Sequence, residues 1–189
     1  MKKINLALAL CASFCNISNA LGQIKKLSNI YNLIPIISEN LASINTRFGK
    51  AEDIKNQIIQ ICGKSIIEKI TEAEPIGPSN LADIMVICPC TGNTMAKISR
   101  AITDSVVTMA AKSHLRVQKP LVICLATNDA LGASAENFAK MLNTKNIYFV
   151  PMSQDDPIKK PNSLVANFGE LQKTIELALK NQQIQPILT

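Results

Sequence analysis

Residues 84–94 read IMVICPCTGNT, an apolar run that ends in a turn of proline, glycine and small polar residues. Nearly every position from Ile84 to Cys88 is apolar, which is typical of a strand that is covered on both faces. Gly92 and Asn93 are common turn formers, and a segment with helical spacing follows them. The stretch therefore predicts a buried parallel strand that leads through a turn into a helix.

The same order of strand and helix continues in both directions along the chain. Strands are predicted at residues 4–10, 33–37, 84–88, 121–126 and 147–150, with a short one near 66–67. Helices are predicted from Leu21 to Ile30 and at 52–62, 94–101, 105–117, 134–142 and 164–180, and polar loops at 38–50 and 151–163. Such alternation is typical of a parallel sheet joined by crossover helices. We expect one three-layer, Rossmann-like α/β domain over residues 1–180, with helices on both faces of the sheet, and a C-terminal tail at 181–189.

Composition narrows the class of protein. A chain of 189 residues fits a single domain, and 47% hydrophobic residues exclude a disordered chain. The formal charge of +6 comes from lysines and arginines spread over the whole chain, while aromatic residues make up only 4%. Nucleic-acid surfaces usually combine a basic stripe with stacking rings, so we expect no nucleic-acid partner. An acidic small molecule or an acidic protein partner fits the same charge.

Six cysteines and one histidine limit the possible chemistry. Cys88 and Cys124 lie inside predicted strands, so the cysteines are interpreted as reduced and packed, with no metal site. The alternative is a tetrathiolate site, if Cys11 and Cys15 meet Cys88 and Cys90 at one sheet edge. His114 is placed on the polar surface of a helix and is given no catalytic role, and the lack of another histidine argues against a Ser-His-Asp triad.

The N-terminus allows two interpretations. Lys2 and Lys3, the apolar stretch 4–15 and the small residues 18–20 imitate a secretory signal with its cleavage site. The same residues predict a first buried strand at 4–10, followed by a ligand-binding loop and a helix. We favour the strand and a cytoplasmic location, because cysteines without an evident pairing pattern argue against export. No apolar run reaches the roughly 18–20 residues that a membrane span needs, so no membrane association is expected.

Small polar residues follow several predicted strands. In open parallel sheets, ligands bind outside the carboxyl ends of the strands, where helix N-termini present free amides. Each of these residues also has a simpler explanation as a helix cap or a turn. The candidate positions are Ser13 after the first strand, Ser38 after the second, Pro89 to Thr94 after the central one, and Thr127 and Asn128 after the fourth. No Gly-x-Gly-x-x-Gly fingerprint is present, which disfavours a classical dinucleotide site.

Two sets of motifs resemble known families. Pro89 to Ile98, Ile102 to Ser105 and Ala110 to Lys112 resemble the flavoprotein superfamily, which includes cysteine-peptide decarboxylases and flavin prenyltransferases. Further motifs resemble the family of dipicolinate synthase B subunits and extend the likeness to almost the whole chain. They lie at residues 45–49, 73–78, 143–151, 154–157, 160–165 and 183–188.

This resemblance implies a flavoprotein-type sheet and a set of binding residues. Ser13, Ser38, Pro89, Thr91, Asn93 and Thr94, together with Thr127 and Asn128, are expected around a flavin phosphate and ring system. The resemblance also implies a separate A subunit that carries NADP, and oxidation of a dihydrodipicolinate-type precursor to dipicolinic acid during endospore formation. Homo-oligomers are common among such proteins. Arg47 and Asn93 are candidates for binding the carboxylates of the dicarboxylate substrate.

Three departures from the family pattern keep other functions open. Ala12 stands where the first loop usually has glycine, Asn93 stands in place of the prenyltransferase lysine, and the decarboxylase histidine has no counterpart. We therefore expect the pocket to be kept, with FMN as a possible cofactor whose binding is weakened or lost. The alternatives are an autonomous FMN-dependent enzyme of decarboxylase type and a non-catalytic assembly subunit. No catalytic residue is assigned.

Overall fold

The computed structural model describes residues 3–189. Met1 and Lys2 lie outside the described residues, and Lys2 is one of the two lysines of the signal-like pattern. The strands are β1 (Asn5–Leu10), β2 (Asn32–Ile37), β3 (Ile84–Cys90), β4 (Leu121–Thr127), β5 (Ile147–Phe149), β6 (Met152–Ser153) and β7 (Leu164–Ala166). The helices are α1 (Ile17–Ser28), α2 (Glu39–Ser43), α3 (Ala51–Cys62), α4 (Ile70–Ala73), α5 (Gly92–Ser99), α6 (Val106–Arg116), α7 (Ala135–Leu142) and α8 (Leu171–Ala178).

The strands form one mixed sheet in the order β2-β1-β3-β4-β7-β6, and β5 also pairs with β4. The pairs β1–β2, β1–β3, β3–β4 and β4–β5 are parallel, and β7 runs antiparallel to both β4 and β6. The predicted α/β fold with a largely parallel sheet is confirmed. The predicted strands at 4–10, 33–37, 84–88, 121–126 and 147–150 all exist, with ends that differ by at most two residues.

Two buried cores lie on the two faces of the sheet. Leu6, Leu8 and Leu10 of β1 belong to the core beneath α1, α3 and α8, whereas Ala7 and Ala9 belong to the core beneath α5, α6 and α7. Successive side chains of a strand point to opposite faces, so an all-apolar strand serves both cores. The helices therefore form the two outer layers of the expected three-layer arrangement.

The prediction of one helix over 164–180 is wrong in its first part. Residues 164–166 form β7, which pairs with Ala126 and Thr127, and α8 begins only at Leu171. A short apolar run cannot be assigned to strand or helix from its periodicity alone. The predicted loop 38–50 contains the short helix α2, and the strand predicted near 66–67 is a single bridge between Ile36 and Ile67.

The C-terminal residues 181–189 pack against the domain. The Gln183 side chain accepts a hydrogen bond from the Phe149 amide and donates one to its carbonyl, both at 2.7 Å. Ile184 is buried, and Leu188 forms a parallel bridge with Met152. This segment therefore holds the β5–β6 connection in place. Within residues 3–189, none of the helices is long and apolar enough to cross a membrane.

The surface placement of His114 is wrong, because its side chain is fully buried. It continues the apolar face of α6 that contains Val107, Ala110 and Ala111 at helical spacing. One ring nitrogen, Nε2, lies 3.0 Å from the Pro120 carbonyl oxygen, and Nδ1 has no hydrogen-bond partner within residues 3–189. Burial lowers the pKa of His114 from 6.5 to about 4, so the ring is neutral at neutral pH.

This buried histidine predicts a loss of stability in acid. Its pKa is lower in the folded state than in the unfolded state, so the unfolded chain binds the extra proton first as the pH falls below 6.5. We expect this group alone to lower the free energy of unfolding by about 2 kcal/mol between pH 7 and about pH 4.5. Chemical denaturation of the wild type and His114→Gln at both pH values measures the difference. If the free energy of unfolding fell equally with pH in the two proteins, the predicted contribution of His114 would be wrong.

Candidate functional site

The carboxyl ends of β1, β2 and β3 surround a cavity of about 350 Å³. Cys11 and Ala12 follow β1, Ser38 follows β2, and Thr91 and Asn93 follow β3. The remaining wall comes from the connection between α5 and α6, which contributes Asp104 and Ser105. This volume lies at the lower end of the range for small-molecule sites, about 300–1,000 Å³.

Three helices begin at the cavity, each with a side-chain cap. Ser38 accepts a hydrogen bond from the Leu41 amide at 3.4 Å, and Thr91 accepts one from the Thr94 amide at 3.3 Å. Ser105 caps α6 in a reciprocal capping box with Thr108. The cap interpretation of Ser38 and Thr91 is thus compatible with a place in the cavity wall. A hydroxyl that accepts a cap bond still has its proton to donate, so Ser38 can donate to a ligand.

The base of the cavity is a chain of neutral polar groups. The Thr91 hydroxyl donates to Thr94 Oγ1 at 3.1 Å, and Thr94 Oγ1 lies 3.3 Å from Cys11 Sγ. Burial raises the pKa of the Cys11 thiol to about 11, and it raises the pKa of Cys90 well above its usual value. Both thiols are therefore protonated at neutral pH, which argues against a thiolate nucleophile here.

The charged groups of the cavity are already paired within the chain. Lys97 Nζ lies 2.8 Å from Asp104 Oδ1, and this contact lowers the pKa of the Asp104 carboxyl. Glu39 Oε1 accepts a hydrogen bond from the Val106 amide at 2.8 Å, at the start of α6. An anion in this cavity would therefore be held by hydroxyls and backbone amides.

Four of the predicted site residues line the cavity, namely Ser38, Thr91, Asn93 and Thr94. Ser13 and Pro89 stand beside it. Ser13 Oγ accepts a hydrogen bond from Asn16 Nδ2 at 3.1 Å, and the Pro89 carbonyl accepts one from the Cys11 amide at 3.1 Å. The Pro89 carbonyl therefore joins the loop after β1 to β3, whereas the Ser13 contact lies within that loop.

Thr127 and Asn128 do not line the cavity. The Thr127 hydroxyl donates to Asp129 Oδ1 at 2.5 Å, directly behind Gly92, and Asn128 is exposed.

Arg47 also lies apart from the cavity. It stands in an exposed turn closed by the Thr46–Gly49 bridge, with its guanidinium 4.9 Å from the centre of the Phe48 ring. The four cysteines of the alternative tetrathiolate site lie in different environments, because Cys15 is exposed whereas Cys11, Cys88 and Cys90 are buried.

Sequence reasoning missed three charged residues of the cavity wall, Glu39, Lys97 and Asp104. Glu39 directly follows the predicted strand-end Ser38, so the same argument about strand ends could have identified it. Lys97 and Asp104 are seven residues apart in sequence, and they meet only because α5 ends and the chain turns back before α6.

Several known proteins resemble this chain in sequence or in fold. The flavoprotein family model matches residues 1–176. The B subunit of dipicolinate synthase from Bacillus subtilis (strain 168) is 44% identical over 189 residues, which cover 100% of this chain and 94% of that protein. The crystal structure of the corresponding B subunit from Bacillus halodurans C is 41% identical, with a TM-score of 0.90 over 98% of this chain and 96% of that one.

More distant structures share the fold. The FMN-dependent cysteine decarboxylase SpaF is 18% identical, with a TM-score of 0.66 over 94% of this chain and 95% of that chain. At this level of identity the likeness shows only that the two chains have the same architecture.

Proposed function

Because this chain belongs to the flavoprotein family, and within it to the group of dipicolinate synthase B subunits, we propose that it is the B subunit of a dipicolinate synthase. In this proposal it works beside an A subunit that binds NADP, and the pair oxidises a dihydrodipicolinate-type precursor to dipicolinate in the cytoplasm of a sporulating cell. The observation that carries the proposal is the cavity in which Ser38, Thr91 and Asn93 meet. Six free cysteines support a reducing compartment.

The start of α5 in this cavity suits the phosphate of a flavin mononucleotide. Gly92 and Asn93 begin α5, and the free amides of a helix N-terminus favour a phosphate. Ser38 and Asn93 add a hydroxyl and an amide as donors. Ala12 also lies in the wall, and its methyl group keeps a ligand farther from the backbone than glycine would, so we expect the flavin to bind more weakly than it would beside glycine. When bound, the flavin would supply two-electron redox chemistry. The chain's own residues would bind and orient it.

The lack of a free acid or base in the cavity supports a two-subunit enzyme. Cys11 is protonated, Lys97 is paired with Asp104, and Glu39 is hydrogen-bonded to the Val106 amide. Groups that move a proton or accept a hydride are therefore assigned to the partner or to a cofactor. An autonomous decarboxylase is less well supported, because the only histidine is buried beside Pro120, near the opposite end of α6 from Ser105.

Reconstitution tests this function. The A subunit is assayed with its dihydro substrate and nicotinamide cofactor, with and without this chain, and the absorbance spectrum of the copurified complex is recorded from about 300 to 500 nm. We expect dipicolinate formation only when both chains are present, and the absorbance of an oxidised flavin in the complex. An equal rate with the A subunit alone would refute the proposal. Decarboxylation by this chain alone would favour the autonomous enzyme.

A further inference from the structure

The wall of the cavity at the start of α6 is acidic. Glu39 accepts a hydrogen bond from the Val106 amide at 2.8 Å, and Asp104 lies two residues before that amide. Lys97 is the basic residue of the cavity wall, and its ammonium is paired with Asp104 at 2.8 Å. The three side chains together carry one net negative charge on this side.

Glu39 occupies a place that an acidic ligand group would otherwise fill. Val106 is the first residue of α6, so its amide has no acceptor within the helix. The first turn of α6 contains no acidic residue of its own, and the carboxylate comes instead from the neighbouring helix α2. A carboxylate at this position is favoured by the helix dipole and repels a second anion.

The wall at the start of α5 has the opposite character. The first turn of α5 has no acidic side chain, and its cap residue Thr91 and the following Asn93 are neutral. The Thr94 amide donates to the Thr91 cap, and the amides of Gly92 and Asn93 stay available to an anion. The Asp129 carboxylate lies behind Gly92, outside the cavity wall, where it accepts hydrogen bonds from the Thr127 and Ser134 hydroxyls. The two helix starts thus give the cavity one side that accepts an anion and one that rejects it.

From this asymmetry we propose that Glu39 is a specificity-determining residue of the cavity. It restricts the cavity to ligands with one anionic group, bound at α5, and an uncharged polar part on the side of α6. This inference rests on the proposed function and refines it. A phosphate-bearing cofactor meets the requirement, whereas a small dicarboxylate does not, so the dicarboxylate substrate is assigned to a site outside this cavity.

Calorimetric titration of this chain with FMN, riboflavin and dipicolinate tests the assignment. The variant Glu39→Gln keeps an oxygen that accepts from the Val106 amide but removes the charge. We expect it to bind dipicolinate about tenfold more tightly than the wild type, since a charge near a partly exposed site acts through a high effective dielectric. Asp104→Asn, which releases Lys97, should act in the same direction. Glu52→Gln in α3 makes the same charge change away from the cavity and should have no effect.

The results separate this inference from the proposed function. Unchanged dipicolinate affinity in both Glu39→Gln and Asp104→Asn, with melting temperatures equal to that of the wild type, would overturn the role of Glu39. Dipicolinate binding to the wild type as tight as that of FMN would overturn it too. If neither FMN nor riboflavin binds but Glu39→Gln still improves dipicolinate affinity, the flavin part of the proposed function fails and the role of Glu39 stands.

Discussion

Replacing Gly92 with alanine is expected to weaken FMN binding by about tenfold or more and to lower the free energy of unfolding by about 1–3 kcal/mol. A Cβ atom at this position would lie 2.5 Å from Thr127 Oγ1 and 3.1 Å from Asp129 Oδ1. The Thr127 hydroxyl cannot rotate away without losing its hydrogen bond to the Asp129 carboxylate. The start of α5 must therefore shift, and Asn93 and Thr94 shift with it.

A second substitution distinguishes the clash with Thr127 from a general loss of stability. Thr127→Ala removes the hydroxyl that the new Cβ would meet, so the double variant should bind FMN more tightly than Gly92→Ala alone. Coupling of this kind is expected for residues in contact. Fluorescence titration with FMN measures the affinity, and urea denaturation measures the stability. Strictly additive effects of the two substitutions would show that Thr127 does not support the start of α5.

Replacing Gly77 with alanine is expected to lower the free energy of unfolding by about 3 kcal/mol or more. A Cβ atom at Gly77 would overlap the carbonyl oxygen of Ser113, which belongs to the backbone of α6. The Gly77 amide also donates to Ser113 Oγ at 3.0 Å, and this hydroxyl donates to the Glu74 carbonyl. The clash therefore separates the segment before β3 from α6 and breaks a buried polar contact.

Urea denaturation of Gly77→Ala measures this loss, and Gly22→Ala is the matched control. Gly22 lies in the exposed face of α1, and a Cβ there would meet no atom within 4 Å. The control should raise the free energy of unfolding by about 0.5–1 kcal/mol, because alanine favours the helix. A loss below about 1 kcal/mol in Gly77→Ala would contradict the close approach of the two segments.

The sequence was sufficient for the parallel part of the fold and for half of the predicted site. The apolar run 84–88 predicts a strand covered on both faces, and Ser38, Thr91, Asn93 and Thr94 line one cavity because parallel strands end at the same edge. The helix predicted at 52–62 ends at Cys62, and Gly63 follows it with φ of 64°. Local sequence patterns, together with the rule that ligands bind at the carboxyl ends of parallel strands, were enough to predict these features.

The remaining features depend on contacts between distant parts of the chain. Burial of His114 follows from the packing of α6 against the sheet and against α4 and α5. Residues 164–166 form β7 because β4 and β6 pair with them. Arg47 is an exception, because its guanidinium lies over the ring of its sequence neighbour Phe48, in a turn apart from the cavity. The contact between Glu39 and the Val106 amide joins residues 67 positions apart, which no local pattern predicts.

Hydrogen–deuterium exchange of this chain with and without FMN tests the central claim, that three strand ends form one ligand cavity. We expect FMN to slow exchange together in residues 11–13, 38–41 and 91–97, which follow β1, β2 and β3. Protection confined to the groove that Asn16, Lys26 and Asn167 line between α1 and β7 would contradict the claim, as would unchanged exchange at saturating FMN.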